Sequence, residues 1–298
     1  MNAAIQALMT GLIDYAGLFP PAGLSMWKAV GNYAEYWQIP PSQPWLGRFV
    51  VPARRLAEFG ATLEEPEEET FEGRWDLSVL LTQETPEKDL ALAQAFAAQN
   101  PGVEIGAFET PADSIETIER LRALVPATQE IYFELPIQAP NLDQLLEAIA
   151  RNGACAKVRT GGLEKKAFPS PGALLTFLTA CAGARAPWKA TAGLHHALRG
   201  NAALTYKPAS RSAKMHGFLN VFLAATALWS GRPQSEALAL LSGEGRGDLK
   251  VESDAIAWRG VRLTASEIAE ARRSFCRSIG SCSFTEPVEE IRDIDIPF

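Results

Sequence analysis

The chain is poor in residues that bind metals or form covalent staples, with three histidines and four cysteines among 298 residues. Cys155, Cys181, Cys276 and Cys282 form no C-x-x-C pair and show no zinc-like spacing. They read as buried free thiols. No G-x-G-x-x-G follows any strand-like run, which argues against a dinucleotide-binding sheet. Basic residues number 28 against 35 acidic ones, a net charge of −7. A general nucleic-acid binder needs a basic face to displace counterions, so that partner class is set aside. The longest apolar run, GFLNVFLAATALW, has about 13 residues, too few to span a bilayer. The opening MNAAIQALMTGLIDYAGLF has no basic start and meets Asp14 early, which makes a poor signal peptide. No membrane partner and a cytoplasmic location are therefore expected.

Hydrophobic residues make up 47% of the chain, enough for a large core. Short β-rich runs alternate with helical stretches. The strand-like runs are 12–19, 46–52, 76–82, 103–110, 130–137, 154–162 and 187–194; an eighth, HGFLNVFLA (216–224), reads equally as a strand or a helix start. The helical stretches are 25–37, 53–61, 86–99, 113–124, 141–152 and 170–183, with starts marked at Pro86 and Asn141. Strand, helix, strand in succession means parallel pairing through crossovers. Seven or eight such units make an α/β (β/α)8 barrel of TIM type over 1–230, with a doubly wound open sheet as the alternative. Residues 231–298 read as a C-terminal appendage packed on the barrel. It holds a short hairpin (LKVESDAIAWRGVRLT), a helix with a capping box at Thr264 and Glu267, and the loop GSCSF before a last short helix. LEEPEEETFEG (63–73) reads as a solvated acidic loop.

Alternation along a strand sends side chains to opposite faces. In PWKATAGLHH, Lys189, Thr191, Gly193 and His195 share the face opposite Trp188 and Ala190. In ACAKVRTGG, Cys155, Lys157 and Arg159 share a face. The same pattern turns Tyr132 and Glu134, Arg48, and Asp14 toward the barrel interior. A barrel built only for stability fills such positions with Val, Ile and Leu, because an unpaired buried charge costs several kcal/mol. One use of these groups is a structural salt-bridge layer, with Glu134 neutralising Lys157. The other is chemistry: an excess of cations can hold an anionic substrate and lower a lysine pKa until the neutral amine attacks a carbonyl.

AKVRTGG followed by WKATAGL resembles strands six and seven of class I aldolases of the deoxyribose-phosphate aldolase type, over about 45 residues. The resemblance implies that Lys157 forms the imine and that Lys189 is the neighbour that lowers its pKa. Arg159 stands where that family carries a small hydroxyl residue, and GLHHALR where it has a Gly-Gly phosphate-binding turn. No acidic motif matches that family's fourth-strand aspartate. LFPPA, GRFVVPARRL, KVRTGG, KATAGLHH, HGFLN and GSCSF together are similar to a bacterial protein family that supplies no activity.

The function expected is a carbon–carbon lyase that forms a Schiff base with a small anionic carbonyl compound and needs no cofactor. Lys157 and Lys189 are the central candidates, and Glu134, Tyr132 and His195 the candidates for proton transfer. Arg159, Thr160, Gly161, Thr191, Arg48, His196, His216 and Asp14 are the candidates for substrate binding. RTGG and GSCSF could each offer backbone N–H groups to an anion. DYAGLFPPAGLSM is either a plain strand-to-helix turn or a wall of the mouth. One alternative is a metal-dependent lyase, isomerase or hydrolase using His195, His216 and a carboxylate, although the histidine spacing is poor for a metal. Another is a non-catalytic binder of small acids. A homo-oligomer stays open.

Overall fold

A computed structural model describes residues 2–38, 44–64 and 73–295. Most of the expected acidic loop, 65–72, lies outside the described residues. Eight parallel strands close into a barrel. They are β1 (Ile13–Tyr15), β2 (Leu46–Pro52), β3 (Trp75–Leu80), β4 (Val103–Pro111), β5 (Glu130–Glu134), β6 (Cys155–Arg159), β7 (Trp188–Thr191) and β8 (Cys276–Ser281). Each of β1 to β7 pairs with the next in sequence, and β8 lies between β7 and β1. The chain is an α/β protein with the (β/α)8 barrel architecture. Outward side chains such as Phe49, Val51, Phe108, Phe133, Trp188 and Ile279 join one continuous core beneath the helices.

The helices start where local chemistry satisfies their free N–H groups. The Ser25, Ser114 and Ser170 side chains each accept a backbone N–H three residues on. Thr264 and Glu267 form the expected capping box. The stretch 165–184 is, by length and composition alone, long and apolar enough to cross a membrane. In the fold it contains the barrel helix Pro171–Ala184, whose Leu174, Phe177, Leu178 and Cys181 are buried.

The eighth strand is not where the apolar run suggested. Residues 218–229 form a helix, Phe218–Trp229, in which Phe218 to Ala227 are all buried. An apolar run of this length suits a buried helix as well as a strand, and periodicity alone cannot separate them. The closing strand is CRSIGS at 276–281, so the barrel does not end at residue 230. The segment expected as an appendage supplies its last strand. Three short antiparallel strands, Lys250–Val251, Ala255–Trp258 and Val261–Thr264, replace the expected hairpin. A further hairpin, Gly200–Ala203 with Ser212–Met215, follows β7.

A helix not read from the sequence, Ala3–Met9, precedes β1 and is capped by the Asn2 side chain. Arg272 ties it to the start of β8. Its guanidinium donates to the carbonyls of Leu8 and Thr10, each at 2.9 Å, and to those of Cys276 and Arg277.

Candidate active site

The barrel interior carries an ion cluster where such barrels usually hold aliphatic layers. Asp14, Ser78, Tyr132 and Lys189 come from β1, β3, β5 and β7. The Lys189 ammonium donates to Asp14 Oδ2 at 2.5 Å and Glu109 Oε1 at 2.7 Å, and lies 5.2 Å from the centre of the Tyr132 ring. Ser78 Oγ donates to Glu109 Oε1 and Ser278 Oγ to Asp14 Oδ2, both at 2.6 Å. Nearer the C-terminal ends of the strands, Lys157 Nζ meets Glu109 Oε2 at 2.7 Å and Glu134 Oε2 at 2.8 Å. Arg159 then holds the other Glu134 oxygen at 3.0 Å. Glu109 therefore gives one oxygen to each lysine.

This arrangement corrects two expectations about charge. Three cations, Lys157, Lys189 and Arg159, face three carboxylates, Asp14, Glu109 and Glu134, so the cluster has no cationic excess. Nor does Lys189 lower the pKa of Lys157. Burial alone would push both ammonium groups down, but Glu109 and Glu134 outweigh it at Lys157, and Asp14 and Glu109 outweigh it at Lys189. Both lysines are raised and charged at rest. Burial would likewise push the Glu109 carboxyl up, yet the two lysines hold it well below the usual carboxylate range. The pairing of Glu134 with Lys157 is the salt-bridge arrangement weighed from the sequence.

Above the cluster, at the C-terminal mouth, lies a cavity of about 500 Å³, within the range of small-molecule sites. Lys157, Arg159, Thr191, His195 and His196 line it, together with Glu109. The wall includes Phe19, Pro20 and Pro21 of the LFPPA segment, and the hairpin after β7 contributes Ala202 to Tyr206 and Met215. Glu134 does not line it, but is bonded to two residues that do, Lys157 and Arg159. Asp14 and Lys189 sit beneath.

Other expected site residues are placed elsewhere. Arg48 pairs with Glu130 at 2.6 Å and Asp76 at 3.4 Å, near the N-terminal ends of β3 and β5, and does not line the cavity. Tyr132 spends its hydroxyl on Glu130 Oε2 at 3.0 Å, also below the cavity. Thr160 donates through its N–H to Thr191 O at 2.9 Å and through its hydroxyl to Ala192 O at 2.5 Å. A methyl group built on Gly193, which has φ +76°, would lie 2.8 Å from Gly161 Cα. Thr160 and Gly161 thus join the ends of β6 and β7.

The three histidines have separate partners. Ser281 Oγ donates its single proton to Ser283 O at 2.6 Å, so it accepts from His195 Nδ1–H at 3.1 Å. His195 Nε2 is then unprotonated, with the Cys282 thiol 3.9 Å away. Burial, with the neighbouring His196 adding to it, lowers the His195 pKa to about 4. His196 turns to Glu290, Nδ1 to Oε1 at 2.6 Å. His216 donates from Nε2 to Pro169 O at 2.8 Å and does not line the cavity. Among the described residues no group of three or more His, Cys, Asp or Glu is placed to hold a metal ion. The site of His195, His216 and a carboxylate considered from the sequence is not assembled.

Sequence reasoning missed Glu109, the centre of the cluster. Strict alternation from Val103 and Ile105, which both join the outer core, sends residue 109 outward as well. The β3–β4 register shifts between Leu77↔Ile105 and Ser78↔Ala107. Gly106 is the extra residue of this bulge, and beyond it Ala107 and Glu109 point inward. A glycine in the middle of VEIGAFET is the one signal that could have flagged the flip. Ser278 was missed because β8 itself was missed.

No protein-family model matches the chain, and no curated protein matches it. Neither resemblance noted in the sequence is strengthened or replaced by these comparisons.

Proposed function

We propose that the chain is a barrel enzyme that binds a small carbonyl compound on Lys157 as an imine and makes or breaks a carbon–carbon bond, as an aldolase-like lyase. One observation carries the reading: Lys157 is the cavity-lining lysine, and two carboxylates stand within hydrogen-bond distance of its ammonium. Glu109 adds support, because it lies on the fourth strand, where the aldolase resemblance requires an acid that the sequence did not reveal.

A charged lysine must lose a proton before it attacks. Glu134, 2.8 Å from the ammonium, accepts that proton as the ligand enters. The amine then adds to the carbonyl carbon, and the oxygen becomes a hydroxyl. That hydroxyl takes the proton back from Glu134 and leaves as water, giving a protonated imine. The same two carboxylates that hold the ammonium also hold the iminium, so the cationic centre remains paired through the reaction. In the cleavage direction, a β-hydroxyl gives its proton to His195 Nε2. The Cα–Cβ electrons move into the iminium, an aldehyde or ketone departs, and the enamine left on Lys157 takes the proton back from His195 and is hydrolysed by water. His195 suits this role because it is neutral and presents an unprotonated nitrogen at the cavity wall. Lys189 acts from behind, as the group that fixes Asp14 and Glu109.

The test is intact mass after borohydride with a panel of aldehydes and keto acids. An adduct mapping to Lys157, and lost in Lys157→Met, is the expected result. An adduct on Lys189 would reverse the two roles. No adduct from any panel member, with turnover intact in Lys157→Met, would remove imine chemistry altogether.

A further inference from the structure

The cavity carries information about its occupant that goes beyond the imine. Its charged lining residues are two acids, Glu109 and Glu286, and three bases, Lys157, Arg159 and His196, whose pKa Glu290 raises. Each base already has a carboxylate within 3.0 Å, Glu290 in the case of His196. The remaining wall is largely apolar and includes Phe19, Leu80, Leu163, Phe168, Leu204 and Met215. In the RTGG turn, the best place in the sequence for a backbone anion cradle, Phe168 packs on Gly161 while Gly162 lines the cavity. Methyl groups built on Gly161 and Gly193 would lie 2.6 and 2.9 Å from Phe168 Cε1. The Phe168 ring edge therefore packs on the Cα faces of both glycines. The polar atoms of Thr160 are spent on β7.

Desolvating a dianion requires cations with unspent charge, and none lines this cavity among the described residues. Burying an apolar group requires only the wall that is there. We propose that the occupant is a neutral aldehyde or ketone with an apolar body, aromatic or branched aliphatic. Its carbonyl sits at Lys157 and its body lies against Phe168, Leu163 and Leu204. This inference rests on the imine reading of Lys157, and it replaces the small anionic substrate expected from the sequence.

The experiment titrates two compounds without a carbonyl, 3-phenylpropan-1-ol and glycerol 3-phosphate, into the full chain by calorimetry. The alcohol is expected to bind at about 1 mM or tighter, with a negative heat-capacity change. Glycerol 3-phosphate is expected not to bind in that range. Leu163 is 47% exposed, so Leu163→Asp spares the fold, and it should weaken the alcohol about fivefold or more. Tighter binding of the phosphate, or binding of neither compound, would overturn the proposal. Borohydride trapping with 3-phenylpropanal and glyceraldehyde 3-phosphate separates it from the imine reading. Alcohol binding without any aldehyde adduct defeats the imine alone. Equal or better trapping of the phosphorylated aldehyde defeats the apolar occupant alone.

Discussion

The Lys157 ammonium lies 2.7 Å from Glu109 Oε2, and both side chains are almost wholly buried. Glu109 also holds Lys189, so its removal leaves two buried ammonium groups with one carboxylate fewer between them. Breaking a buried ion pair from one side costs about 3–5 kcal/mol, most of it the penalty of the charge left behind. Glu109→Gln is expected to lose stability on that scale. Urea unfolding at pH 7, compared with the unchanged chain, measures it. A loss under about 1 kcal/mol would mean that water reaches the cluster and the lysines are screened.

Lys189 offers the complementary test. It is fully buried between Asp14 and Glu109. Lys189→Met should destabilise by about 3–5 kcal/mol, because two carboxylates then share too little positive charge. Adding Asp14→Asn removes one orphaned charge and should restore part of the loss. A double-mutant cycle read from unfolding midpoints should show a coupling of about 1–3 kcal/mol. Additive losses would contradict the geometry.

The same contacts set a pH window for stability. Glu109 and Glu134 are held below the usual carboxylate range in the folded chain, because their lysine and arginine partners outweigh burial. Their contribution is complete above the unfolded value of about 4.3 and fades as pH falls through the folded values. Lys157 and Lys189 are raised by their carboxylates against the effect of burial. Their contribution is complete below about 10.4 and fades as pH rises through the folded values. Denaturant midpoints should therefore be flat for this cluster from about pH 5 to 10 and fall on both sides. Glu109→Gln should flatten the acid limb. An acid limb unchanged by that substitution would place its origin elsewhere.

Seven of the eight strands could be read from the sequence because their outward residues are large and regularly spaced, as with Phe49 and Val51 or Trp188 and Ala190. The eighth could not, for a reason tied to the site. Ser278 must be small and polar to reach Asp14, and Gly280 lines the cavity against Thr191. A strand with such interior positions has no strong β signature. The apolar run that seemed a better strand, 216–224, is apolar on every side because its helix is buried on every side. Lys157, Lys189, Arg159 and Glu134 came together as parity indicated. The sign of their local charge was misjudged because the bulge at Gly106 hid Glu109 and the short β1 hid how closely Asp14 approaches Lys189.

The adjacent histidines should titrate in opposite directions. His195 is buried against Ser281 and Cys282, and burial lowers it to about 4, while charge on His196 adds to the effect and Glu290 opposes it. The hydrogen bond to Glu290 raises His196, with burial acting against it. Between about pH 4 and 6.5 the folded chain binds fewer protons at His195 than the unfolded chain does. His195 therefore supports the fold above 6.5 and withdraws that support as pH falls toward 4, by about 3 kcal/mol in all. His196 has the opposite sign: its contribution is complete below 6.5 and fades as pH rises through its folded value. Imidazole nitrogen NMR at pH 6 should show His195 neutral with the proton on Nδ1, and His196 mostly cationic. His195→Gln should make the unfolding midpoint less sensitive to pH between 4 and 6.5 while leaving the His196 titration in place. A His195 resonance that titrates at or above 6.5 would remove the neutral base from the cavity wall, and with it the proton acceptor assigned to carbon–carbon cleavage.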